Sequence, residues 1–173
     1  MPAKLEIDEM SVMPDKLAAL GYRRLVESDH YAPETLTNLS SIIGRPVPAA
    51  FTRFLVDYPN TGTFEQFVHA LGLDAAPGVP DKRYAIGVLY SNCSKPHSDL
   101  LSIRNNNSKI WDDFLLIGRD DFGYTFAIDL RDGEFGKIKC KTTEQDWDEK
   151  LYLVANDFES FILSLQPSDC QLP

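Results

Sequence analysis

The chain has 173 residues, 43% of them hydrophobic and 11% aromatic, enough to build one core without cross-links and too apolar for a disordered chain. Its 26 acidic against 17 basic residues give a formal charge of -9. Such a surface repels phosphate backbones, which excludes direct nucleic-acid binding as an expectation, and it steers basic proteins toward it, although ordinary solubility produces the same balance.

The first predicted element covers residues 13–28 and reads as a helix, with Pro14 in the first turn and Leu17, Leu20 and Leu25 as its apolar positions. A second helix is expected over 33–43, with Leu36, Leu39, Ile42 and Ile43 on one face and Gly44 as its stop. Pro48 opens a third, in which Phe51, Phe54, Leu55 and Tyr58 follow the i, i+3, i+4, i+7 stripe up to Pro59. The stretch 64–73 reads as a further short helix, ending in the loop that holds Pro77, Gly78 and Pro80.

From Arg83 the pattern shifts toward strands. Tyr84-Ala-Ile-Gly-Val-Leu-Tyr90 is β-rich, and the polar stretch 91–107 predicts a loop with a short helix around Leu100, Leu101 and Ile103. Phe114-Leu-Leu-Ile117 follows. In 124–130, Tyr124, Phe126, Ile128 and Leu130 alternate with Thr125, Ala127 and Asp129, so one face of that strand is core. Asp132-Gly133 signals a two-residue turn into a strand over 136–141, where Ile138 and Cys140 alternate with three lysines. Leu151-Tyr-Leu-Val154 is the last strand, and a closing helix starts at Asn156 with Glu159 completing a capping-box pattern. The expected fold class is α+β, with N-terminal helices, an antiparallel sheet of about four to six strands and a closing C-terminal helix, in a single domain over 1–173.

Four pieces of this sequence, in this order, resemble one known family. They are Val47-Pro48 with its helix and Asp57-Tyr58-Pro59-Asn60-Thr61-Gly62; Trp111-Asp-Asp-Phe-Leu-Leu-Ile-Gly118; Asp121-Phe-Gly-Tyr-Thr-Phe-Ala-Ile-Asp-Leu130 with its turn; and Tyr152 through Leu165. Their spacing is similar to the SUKH superfamily, which includes the fungal cell-wall-assembly and killer-toxin-resistance regulators, and the likeness covers about 43–166. The chain departs from that pattern at Lys139-Cys-Lys141, where aromatics are usual, and at Gly62, which stands alone where paired glycines are usual. The resemblance implies a non-enzymatic immunity protein that binds and neutralises a toxin domain, often a nuclease. A second reading is a scaffold of the same fold that binds an endogenous protein.

No catalytic residue is nominated. His30, His69 and His97 share no motif and read as solvated, Ser91, Cys93 and Ser94 lack the glycines of a nucleophile elbow, and there is no phosphate-binding loop or dinucleotide fingerprint. Cys93, Cys140 and Cys170 have neither metal-ligand nor disulfide-framework spacing, and the segment around Asp129 and Asp132 lacks the alternating ligands of a calcium loop, so no metal and no cofactor is expected. The opening MPAKLEIDEM carries acids where a signal peptide needs basic and apolar residues, and no apolar run approaches a membrane span, so a cytoplasmic protein with no membrane contact is expected.

What remains is surface chemistry. Asp112, Asp113, Asp120 and Asp121 and the run Glu144, Asp146, Trp147, Asp148 and Glu149 fall on loops between predicted strands, and alternate loops of a meander emerge at one edge. These residues are the expected partner-binding set, for a protein partner of basic character such as a toxin domain. Trp147 is either a binding anchor amid acids or a ring folded back onto the core. Trp111 reads as a core residue at the strand entry. Oligomeric state is not specified by the sequence.

Overall fold

A computed structural model describes residues 12–25, 38–91, 99–101, 113–143, 145–146 and 149–169. Within them the helices are α1 (Met13–Ala19), α2 (Leu39–Ile43), α3 (Ala49–Asp57) and α4 (Phe158–Ser164), with a short 3-10 turn at Pro80–Lys82. The strands are β1 (Tyr22–Arg24), β2 (Gly62–Leu71), β3 (Arg83–Leu89), β4 (Phe114–Arg119), β5 (Thr125–Asp129), β6 (Ile138–Lys141), β7 (Tyr152–Ala155) and β8 (Leu165–Pro167). They form one antiparallel sheet of eight strands in the order β1 to β7, with β8 added to β2. The fold is α+β as expected, but the sheet is larger than the four to six strands anticipated.

Several differences from the expected elements have identifiable causes. Residues 64–73 form most of β2 rather than a helix. Phe64, Val68 and Ala70 are buried, but exposed Glu65, Gln66 and Phe67 interrupt the alternation where the register with β3 shifts between Thr63 and Val68. That irregularity erased the period of two from the sequence. It also bends β2, so that its first residues pair with β1 and its last with β8 along the same edge.

The predicted first helix ends early, at Ala19, and the chain turns through Gly21 into β1. The tip of the Tyr22 ring then packs against Gly62, where a Cβ would collide with the tyrosine Cζ. At the other end of the fold, 130–137 is a connection of two successive turns rather than a two-residue hairpin: Glu134 N–H donates to Arg131 O and Lys137 N–H to Glu134 O, both at 3.1 Å. The closing helix is capped by Asp157, not Asn156; its Oδ1 accepts from Ser160 N–H at 2.7 Å and its Oδ2 from the Ser160 hydroxyl at 2.9 Å. Leu165–Pro167, only three residues long, was too short to show a strand period. Residues 33–37, Ile103 and Trp111 lie outside the described residues.

The core is organised by aromatic rings. Phe158 and Phe161 of α4 face α3 on one side and the sheet on the other: Phe158 lies 4.9 Å from Phe51 and 5.2 Å from Phe54, and Phe161 lies 5.9 Å from Phe126, ring centre to ring centre. Phe126 in turn meets Tyr84 edge-on. All six rings are buried. Replacing Phe161 by Ala removes a fully buried ring at this junction and is expected to destabilise the fold by about 3–5 kcal/mol. Urea unfolding checks this, and Leu163→Ala, at an exposed position of the same helix, should stay within about 0.5 kcal/mol of the parent.

Candidate functional site: a cleft at the acidic end of the sheet

The meander sorts its connections into two ends. The loops 72–82, 120–124 and 142–151 emerge at one end, whereas the connections leading into β4 and β6 emerge at the other. At the first end the 72–82 loop bonds to β7 and the 120–124 turn touches the 142–151 loop. Asp74 N–H donates to Leu153 O at 2.8 Å, Leu153 N–H donates to Asp74 Oδ2 at 2.9 Å, and a Cβ on Gly123 would lie 2.7 Å from Thr143 Cγ2.

This sorting separates the residues nominated from the sequence. Asp121, Asp146 and Glu149 are exposed at the first end. Asp113 is at the opposite end, exposed, with Arg45 Nη2 at 3.8 Å. Asp120 belongs to the first end by position, but only 4% of its surface is exposed, and its Oδ1 accepts from Phe122 N–H at 2.9 Å and Tyr124 N–H at 2.7 Å. Burial raises its pKa and those backbone donors hold it down, so the carboxylate shapes the β4–β5 turn instead of facing solvent. Asp112, Glu144, Trp147 and Asp148 lie outside the described residues.

At the opposite end two acids are paired within the chain, while Asp113 and Asp132 are exposed. Asp129, completely buried, receives a two-point bond from Arg131, Nε to Oδ1 at 3.0 Å and Nη2 to Oδ2 at 2.7 Å, and the guanidinium sits 4.8 Å from the centre of the Phe114 ring. Glu134 is held by both Lys137 and Lys139 at 2.8 Å, which lower its pKa to about 2. These charges answer one another within the chain.

At the acidic end, β3 parts from β4. Their ladder consists of Val88 with Arg119 and Leu89 with Gly118, and below it a cleft of about 290 Å³ opens between β3 and the β4–β5 turn. Phe67, Pro80 and Phe122 wall it, Ala85 and Gly87 lie along β3, and Arg83 and Asp121 stand at its rim. Phe122 is 77% exposed and Phe67 55%. His69, read from the sequence as solvated, is instead a β2 residue only 4% exposed in the lining of this cleft, and among the described residues neither of its ring nitrogens has a hydrogen-bond partner. Burial and the charge of Arg83 lower its pKa, with Asp169 acting in the opposite direction.

Phe67 and Phe122 were not singled out from the sequence, and His69 was weighed there only as a solvated residue. The available signal was Phe122 itself, an aromatic inside an Asp-Phe-Gly turn where a polar residue would serve the turn equally well.

Among the described residues no group of three or more His, Cys, Asp or Glu is placed to hold a metal ion, and no helix is long and apolar enough to cross a membrane. Cys140 is buried, which pushes its thiol pKa up and away from the reactive thiolate. The prominent surface features are an apolar cleft and free carboxylates, the equipment of a binding module.

The family model for the SMI1 / KNR4 family (SUKH-1) matches residues 32–164. No curated protein matches the chain. The matched span is well over half of the sequence, and the chain belongs to this family. Its members are of immunity and regulatory type, are generally non-enzymatic and act by binding a partner protein.

The placement of His69 makes stability depend on pH. Its folded-state pKa lies below that of the unfolded chain, so the unfolded state takes up the proton first. The stability this residue permits is whole above about pH 6.5 and falls as pH drops below that value. Urea midpoints at pH 7.5 and 5.5 should therefore differ more for the parent than for His69→Leu; equal differences would contradict the assignment.

Proposed function

We propose that this chain is an immunity protein that binds and neutralises a basic cognate toxin domain of a bacterial polymorphic toxin system, using the end of the sheet that carries Asp121, Asp146 and Glu149. The observation that supports this reading is that Asp121, Asp146 and Glu149 are all exposed at one end of the sheet, with exposed Phe122 next to Asp121 at an apolar cleft, whereas Asp129 and Glu134 at the other end are bonded to Arg131, Lys137 and Lys139. The proposed contact takes in Glu144, Trp147 and Asp148, which are sequence neighbours of Asp146 and Glu149, with Trp147 as its aromatic anchor.

A toxin that acts on nucleic acid must present cationic groups to phosphates. Carboxylates on a rigid sheet end can occupy those groups and block the substrate channel, while the net charge of -9 speeds encounter. The chain then acts by occlusion, with no bond made or broken.

The test screens basic toxin domains of polymorphic toxin systems against this chain, each carried as an inactivated variant for binding and in active form for growth. Co-expression of the parent chain should restore growth. The triple change Asp121→Asn, Asp146→Asn and Glu149→Gln should slow association about tenfold and flatten its dependence on salt, with little change in unfolding midpoint because all three residues are exposed. Unchanged association kinetics would remove this end from the interface. Binding only to a non-toxic cellular protein would assign the chain to the regulatory members of the family.

A further inference from the structure

We infer that Asp74 guards the free edge of β7, whatever partner the acidic end receives: it occupies the outward N–H and C=O of Leu153 and so keeps a second copy of this chain from adding its own β7 to the sheet.

A strand at the edge of a sheet presents unpaired backbone groups, and an apolar one is a template for another chain. β7 is the last strand of the sheet among the described residues, and Leu151-Tyr-Leu-Val-Ala155 contains neither a charge nor a proline. The other edge is blunted by its composition. There β1 carries Arg23 and Arg24, and β8 ends in Pro167, which has no N–H to offer. For β7 the simplest addition is a two-fold pairing with the same strand of another copy, since the two edges are identical.

Asp74 supplies what β7 lacks. In an antiparallel ladder the facing residue offers both a donor and an acceptor, and Asp74 offers both from one position. Its N–H donates to Leu153 O at 2.8 Å, and its Oδ2 accepts from Leu153 N–H at 2.9 Å. The carboxylate stands in for a backbone carbonyl because the Asp74 carbonyl is engaged elsewhere, accepting from the hydroxyl of the buried Tyr84 at 2.9 Å. Leu73 N–H adds a bond shared between Leu153 O and Val154 O, both at 3.2 Å.

The loop is built to reach this place. β2 and β3 are antiparallel neighbours, for which a hairpin of about two to five residues suffices. Residues 72–82 instead extend to β7. Two ties close the base of the loop: Gly72 N–H donates to Lys82 O at 2.8 Å, and Lys82 Nζ donates to Leu73 O at 2.7 Å. Closure puts Asp81 and Lys82 at φ 54° and 57°, left-handed backbone that residues with a side chain adopt at a cost. A mere connector would shed that strain by taking glycine at either position.

The experiment compares the full parent chain with Asp74→Ala and Asp74→Asn, following amide hydrogen exchange by NMR and association by sedimentation. In Asp74→Ala the Leu153 amide should exchange about tenfold faster in dilute solution, as expected for one lost hydrogen bond. The same variant should associate at concentrations where the parent does not, and in the associated form the Leu153 amide should be protected again by the second β7. Asp74→Asn removes the same charge but keeps an acceptor oxygen at the same reach, and should behave as the parent. Lys82→Met, at an exposed position, cuts only the tie to Leu73 O and should raise Leu153 exchange about threefold, so the test does not hang on the folding of one variant.

Unchanged Leu153 exchange in Asp74→Ala and Lys82→Met overturns the proposal. Equal association of Asp74→Asn and Asp74→Ala would assign the effect to the lost charge, and association that leaves the Leu153 amide fast would place the contact elsewhere; either result overturns it as well. None of these measurements needs a toxin. A chain that rescues growth but shows no edge effect keeps its function and loses the guard, while one that associates through β7 when Asp74 is removed but rescues nothing keeps the guard and loses the immunity assignment.

Discussion

The contact on which the rest of the structure depends is the wedge of Phe158 and Phe161 between α3 and the sheet. Eight strands cannot be held by backbone bonding alone, since a sheet needs one face buried to be stable in water. Here α4 supplies that cover with two rings that reach in opposite directions, Phe158 to the Phe51–Phe54 pair and Phe161 to Phe126. The Asp157 cap fixes where α4 begins and so fixes the rotational phase of both rings. Helix cover on one face leaves the opposite face of β2 and β3 to carry Phe67, His69 and Ala85, and the cleft opens there.

A second constraint decides where the sheet opens. Gly118 pairs with Leu89 in a contact so close that a Cβ would lie 2.5 Å from the Val88 carbonyl oxygen. Beside it, the register of β4 with β5 shifts between Leu116 and Gly118. The strands therefore meet tightly at one point and diverge beyond it, and the turn that follows is stiffened by the buried Asp120 carboxylate. A bulge next to a short ladder is a common way to re-aim side chains at a functional edge. In this chain it sets Asp121 and Phe122 at the mouth of the cleft on a turn held by two charge-assisted bonds, and a rigid rim loses little entropy when a partner docks.

Much of this was legible in the residues. The Phe51, Phe54, Leu55 and Tyr58 stripe and the Ile138–Cys140 pattern were correct because each element buries one face in one unbroken period, whereas in 124–130 Ala127 and Asp129 are buried along with Phe126, Ile128 and Leu130, so both faces of that strand are covered. Long-range irregularity hid the rest. β2 lost its alternation at a register shift that depends on β3, a strand whose pairing no local window contains. The closing cap moved by one residue because Asn156 and Asp157 are both competent and only the extended backbone at Asp157 chose between them. For the site, the sequence located acidic loops but could not say which share an end, and it could not show that Asp120 faces inward or that His69 is buried. Those facts follow from strand order, which assigned Asp113 to one end and Asp121, Asp146 and Glu149 to the other.

The unequal treatment of the chain's carboxylates has a physical logic. A charge removed from water must be answered by a partner in good geometry, and Asp129 receives that from Arg131, which is itself seated on Phe114. Such a pair fixes the corner between β5 and β6, but its field is cancelled within a few ångströms and is of no use to an approaching protein. Asp121, Asp146 and Glu149 remain in solvent, where each contributes little to stability and its field extends about a Debye length outward. Structural and recognition charges thus make opposite demands, burial with a partner against exposure without one. A meander that sends alternate connections to opposite ends can satisfy both in one small domain. In the proposed reading the apolar cleft complements these charges, because long-range attraction brings a basic partner near without fixing its orientation, whereas contact with an apolar depression can fix it.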